Sequence, residues 1–112
     1  MKAPELSRRL TLQERVRSGD GAGGQVGAWS DLGVLWAEVT PRRGREQSIA
    51  GRERSTVPVT ITVRSAPPGA ASRPRPDQRF VEGPRRFGIL SVTEVGPMGR
   101  YLECACVEGF EQ

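Results

Sequence analysis

The sequence predicts an all-β fold, a small barrel or sandwich of about six short strands with long loops. Three observations carry that expectation. Apolar residues recur with period 2 in several short runs, and no stretch shows the period of a long amphipathic helix. The runs are punctuated by 14 Gly and 9 Pro. Finally, 112 residues with 36% hydrophobic content have room for one modest core. A single domain over residues 1–112 is expected, a multidomain enzyme is excluded, and part of the chain is expected to order only against a partner.

The elements follow in chain order. Leu10 and Leu12 alternate with Arg9, Thr11 and Gln13, giving a first strand with one apolar face. Leu35, Ala37 and Val39 alternate with Trp36, Glu38 and Thr40 in a second strand ended by Pro41. Val57, Val59, Ile61 and Val63 alternate with Pro58, Thr60, Thr62 and Arg64, the cleanest period-2 run, and Pro58 places the start of that strand at a sheet edge. A short strand around 79–81 leads through Glu82, Gly83 and Pro84 into a strand over 86–95. Val95, Gly96, Pro97, Met98 and Gly99 form a turn before a last strand over 100–107, so the final three strands read as a meander.

Three stretches interrupt the pattern. Residues 18–28 read as a flexible Gly-rich loop, 42–56 as a long basic connection with a possible helical turn near Glu46 to Ala50, and 65–76 as a Pro-rich loop. No internal repeat is present.

Few catalytic or ligand-binding readings survive. Gly19, Gly21 and Gly24 satisfy G-x-G-x-x-G, but the residues after them lack the helix that a dinucleotide site needs, so a hairpin tip is the better reading. With no His, a Ser or Cys nucleophile lacks its usual base, and no pair of acids is set for acid–base work. Two cysteines without His cannot complete a zinc site. Cys104 and Cys106 share a strand face with Leu102 and read as buried thiols, since same-face neighbours have poor disulfide geometry. No catalytic, cofactor or metal site is expected. No apolar run reaches membrane-spanning length and no signal-peptide core is present, so a soluble, cytosolic protein is expected, with no membrane partner.

Charge is more informative by position than in total. The net charge is +4, with Lys2 the single lysine beside 16 arginines. Residues 1–17, 42–54 and 73–86 each carry five basic and two acidic groups, while 18–41 and 94–112 are each −3. Separated blocks suit copies that stack on one another or on other proteins, though a solvated mixed-charge surface explains them as readily. In the basic connection, Arg42, Arg43, Arg45, Arg52 and Arg54 suit sequence-independent phosphate contact. Read blandly, it is a solvated loop in which Glu46 and Glu53 pair with some of these arginines. Trp29 and Trp36 read as core or interface anchors.

The succession of features from 9 to 107 resembles the head-tail joining proteins (head closure, or stopper) of long-tailed phages and phage-derived gene transfer agents. Arg9, Leu10, Thr11, Leu12 and Gln13 are similar to the family's opening R-I-T-I-Q strand. Gly23, Gly24, Gln25, Val26 and Trp29 match its loop with G-G-x-V and a Trp. Trp36, Ala37, Glu38 and Val39 match its W-A-x-V strand, and Gly44, Arg45 and Glu46 its G-R-E. Thr60 to Arg64 correspond to the alternating strand ending in Arg, and Arg85, Phe87, Ile89, Ser91 and Val92 to the R-x-F-x-I-x-S-V hairpin. Leu102 to Cys106 correspond to the closing strand. Pro68 and Gly69 keep only part of the usual R-P-G, and 65–76 is longer than the family's turn.

The resemblance implies a small β-barrel assembling into a ring, expected as a hexamer, in the neck of a phage or phage-like particle after assembly in the cytoplasm. Portal and adaptor proteins would lie on its head side and the tail terminator on the other. Double-stranded DNA would occupy the channel without sequence-specific contacts. Residues 42–56 would line or plug the lumen, and Gly23, Gly24, Trp29 and Trp36 would form subunit or partner contacts. Two other readings are a free-standing nucleic-acid-binding barrel, favoured by net charge and the Arg-rich loops, and a tail-completion component of the same particle.

Overall fold

The computed structural model describes residues 3–19, 25–42 and 56–109. Six strands form: β1 (Arg8–Gly19), β2 (Gln25–Pro41), β3 (Val57–Arg64), β4 (Arg79–Glu82), β5 (Arg85–Val95) and β6 (Tyr101–Glu108). A single 3-10 turn, Pro97–Gly99, joins β5 to β6. All pairings are antiparallel, and the strands close into a barrel in the order β1-β2-β3-β6-β5-β4, with β4 returning to β1.

The alternation read from the sequence is the inside–outside alternation of the barrel wall. Leu10 and Leu12, Ala37, Val59, Ile61 and Val63, Phe80, Phe87 and Ile89, and Leu102, Cys104 and Cys106 all point inward and are buried. Every strand therefore contributes to one core. Leu32, Leu35, Val39 and Val92 are partly buried and pack against it.

Three expectations change. In a closed barrel β3 has two neighbours and no edge, and Pro58 sits instead at a strand end. It pairs with Val107 of β6, and its carbonyl accepts the Arg42 N–H at 2.9 Å, just past the last residue of β2. A proline is tolerated there because the ladder is terminating. Second, β1 and β2 are not short: they run 12 and 17 residues. Third, much of 18–28 is strand, since Ser18 pairs with Val26 and Gly19 with Gln25. Residues 20–24, including Gly23 and Gly24, lie outside the described residues, as do 43–55 with the helical turn read there.

The long strands make an arm. β4 covers β1 only over Thr11–Gln13, and β3 covers β2 only over Ala37–Pro41. From Glu14 onward the β1–β2 pair leaves the barrel as a two-stranded ribbon, roughly 20 Å long at about 3.3 Å per residue. The Pro-rich segment, by contrast, is tied down. Ala70 N–H donates to Pro67 O and Arg73 N–H to Ala70 O, both at 3.0 Å. The Arg73 guanidinium donates to Ala66 O at 2.9 Å and pairs with Glu94, and Pro74 is fully buried. Local hydrogen bonds and a buried proline thus tie this segment to the barrel.

Candidate assembly surfaces

Two β-bulges decide which side chains the barrel shows to its surroundings. In β1–β2 the register runs Leu12↔Gly33 and then Gln13↔Asp31, so Leu32 is an extra residue on β2. Gly33 has φ +150°, a conformation that disfavours any side chain. Trp29 and Trp36 are an odd number of positions apart and would lie on opposite faces of a regular strand. The bulge puts both on the outer face, opposite Arg15 and Arg9 respectively. A second bulge, between Ile89↔Cys106 and Ser91↔Ala105, turns Leu90 outward, where it is 62% exposed.

Trp29 is the centre of a brace at the root of the arm. The Arg79 guanidinium lies 3.9 Å from its ring centroid and that of Arg15 5.1 Å, so the indole is held between a barrel strand and the arm. Arg79 Nε donates to Gln13 Oε1 at 2.7 Å, and Gln13 Nε2 donates to Asp31 Oδ1 at 2.7 Å. Arg75 reaches Glu14 at 3.7 Å. Trp36 is more open, 54% exposed with Arg9 at 5.8 Å. Of the two tryptophans expected as core or interface anchors, Trp29 is held against a barrel strand of its own chain, and Trp36 is exposed on the outer face.

Sequence reading missed Arg15, Arg79 and Gln13. Their partners lie on strands distant in the chain, and nothing local marks them. The glycine at 33 inside an otherwise regular run was the available signal for the bulge.

The opposite end of the barrel carries an ion-pair network. Arg8 holds the Glu82 carboxylate through two guanidinium nitrogens. Arg85 does the same to Glu108, Nε to Oε2 at 2.6 Å and Nη2 to Oε1 at 2.8 Å, and its Nη1 lies 3.9 Å from Glu82. The hydrogen bond from Arg8 holds the Glu82 carboxyl below its ordinary pKa, helped by the nearby positive charges of Arg8 and Arg85. The hydrogen bond from Arg85 lowers Glu108 likewise. The basic connection departs from this end after Arg42, which is exposed, and returns at Thr56. Of its five arginines, Arg42 alone is described; Arg43, Arg45, Arg52 and Arg54 lie outside the described residues.

The cysteines face the core as free thiols. Burial pushes Cys104 up to about 12 and raises Cys106 further, so neither is a thiolate at neutral pH. Among the described residues no group of acids and cysteines is placed to hold a metal, and no helix is long and apolar enough to cross a membrane. Of the glycine fingerprint, Gly19 ends β1, where it pairs antiparallel with Gln25 of β2 and so does not lead into a βαβ unit; Gly21 and Gly24 lie outside the described residues.

Comparison with known proteins identifies the lineage. The model of the phage head completion proteins matches residues 1–109. The chain belongs to that family. A solved chain from the virion of a native gene transfer agent particle is 49% identical to this one, over 96% of this chain and 98% of that chain, with a TM-score of 0.83. No curated protein matches the chain significantly. Head completion proteins form a structural family and not an enzyme family, consistent with a barrel whose conspicuous side chains are stacked and ion-paired on its surface.

Proposed function

We propose that this head completion protein is a ring-forming stopper. Copies dock beneath the portal and adaptor proteins of a phage-like particle, retain its packaged DNA and offer the tail a surface for attachment. The family match over nearly the whole chain carries the reading, supported by the similarity to a virion chain of a gene transfer agent. In this reading the protein assembles from the cytoplasm into the particle neck.

The connection 42–56 serves as the DNA-facing element. It leaves and re-enters the barrel at one end, beside the Arg8–Glu82–Arg85–Glu108 network that stiffens its base. Five arginines less two acids in each copy, repeated around a ring, make a collar of positive charge able to hold phosphates of any sequence. The test changes Arg42, Arg43, Arg45, Arg52 and Arg54 together to Ser, and separately shortens the segment. Retention by charge gives particles that assemble but lose DNA in a salt-sensitive way; a steric plug gives loss only on shortening. Normal DNA retention in both variants would overturn a gating role for this segment.

A further inference from the structure

Two surface grooves lie on opposite sides of the barrel. The first is centred on β4 and β5 at the root of the arm and is lined by Arg15, Trp29, Arg75, Arg79, Leu90 and Val107, with Glu14 and Asp77 among its other residues. The second lies over β3 and is lined by Pro4, Glu5, Glu38, Thr62, Tyr101 and Glu103, with no cation in its wall. In the strand order β1-β2-β3-β6-β5-β4, β3 and β4 are diametrically opposed, and where both linings draw on β6 they use its two ends, Val107 in the first and Tyr101 and Glu103 in the second.

Their chemistry is complementary. The first presents three guanidiniums around an indole and the exposed Leu90. The second presents three carboxylates beside a tyrosine ring. Glu5, Glu38 and Glu103 form no ion pair among the described residues. The Glu38 carboxylate accepts the Glu5 backbone N–H, at 3.0 Å, its one hydrogen bond among the described residues. Each patch also has a minority of the other sign: Glu14 and Asp77 in the basic groove, and Arg64 and Arg100 flanking Tyr101 at the border of the acidic one.

We infer that the two grooves are the two halves of one head-to-tail contact between copies of this chain. The Arg15–Trp29–Arg75 groove of one copy receives the Glu38–Glu103 flank of the next. This rests on the ring reading and names the surfaces that build the ring. A second copy is the occupant because both complementary halves occur on one chain and on opposite sides of it. That arrangement gives a heterologous contact, which propagates in one direction and closes into a ring when the rotation allows. Two-fold pairing would set like charges against each other and is disfavoured.

The test uses assembled particles. Arg75→Cys and Glu103→Cys in the same chain place reactive thiols on the two patches, while Cys104 and Cys106 stay buried. A short bismaleimide should convert the protein in purified particles into a covalent ladder. Two charge reversals complete the test. Glu38→Arg with Glu103→Arg, and Arg15→Glu with Arg75→Glu, should each lower the yield of tailed particles at least about tenfold when expressed alone. Co-expressed, they should restore yield, because the two kinds of copy can alternate. Native mass spectrometry of the released neck gives the copy number. Several copies per neck with no ladder, or reversals that fold like the parent yet assemble normally alone, would overturn this contact and leave the ring standing. One copy per neck would overturn the ring reading and this inference with it.

Discussion

Arg85 shows how one side chain sets the stability of an open strand end. It spans Glu82 on β4 and Glu108 at the end of β6, binding the latter through two donors. Both carboxyls titrate below their ordinary range because their charged forms are hydrogen-bonded by guanidiniums. A depressed folded-state pKa contributes stability that is fully present above the unfolded carboxyl pKa, about 4.3, and lost as pH falls through the folded value. The pair is partly exposed, so solvent screens it and its worth is about 1 kcal/mol. Glu108→Gln should therefore cost about that much in denaturant melts at pH 7, and the gap from the parent should close once the pH is below the folded pKa. A gap that stays equal from pH 7 down to the acid end of the titration would show that the cost is packing and not charge. The Glu82–Arg85 contact is local, three residues apart, but Arg8–Glu82 and Arg85–Glu108 join residues far apart in the chain that meet only when the barrel closes.

At the scale of elements, legibility follows burial. The run Val57–Val63 announces its strand because one face is in the core and the other is not, and period 2 reports that difference. The arm escapes the same reading because it extends past the core, so nothing forces its residues to alternate, and its Gly- and Ser-rich composition reads as loop. What makes it a defined ribbon is the β2 bulge and the Trp29 brace. Gly33→Ala forces a side chain into φ +150°, and Trp29→Ala removes the ring between Arg15 and Arg79. Each should destabilise the protein by about 1–2 kcal/mol. The loss should fall unevenly: hydrogen exchange should quicken in arm amides such as Arg15 and Ala28, while Ile61 and Leu102 keep parental protection. Uniform acceleration across barrel and arm would mean that the arm is integral to the global fold and not a braced projection.

For the whole molecule, the barrel is self-sufficient in its core and incomplete only at its surface. Twelve core residues are buried without a partner, every barrel strand has two neighbours, and no buried polar side-chain atom among the described residues lacks a hydrogen bond. Among the described residues the exposed large apolar side chains, Val16, Val34, Trp36, Val57, Leu90 and Met98, are scattered over β1, β2, β3, β5 and the Pro97–Gly99 turn, with Val34 and Trp36 neighbours on one face of β2. Association through such a surface depends on charge complementarity more than on apolar area. Charges of that kind are weakened in physiological salt, where the Debye length is about 8 Å. The isolated protein should therefore sediment as a folded, β-rich 12.2 kDa monomer at about 0.15 M salt. Lowering the salt should bring reversible association, and stable rings should form only where the neck holds copies side by side at high local concentration. Sedimentation across a salt series, with circular dichroism on the same samples, measures both halves of this expectation. A tight ring of the purified chain that persists at high salt would mean that apolar contacts hold the copies together, and would move the search for the interface to Val34 and Trp36.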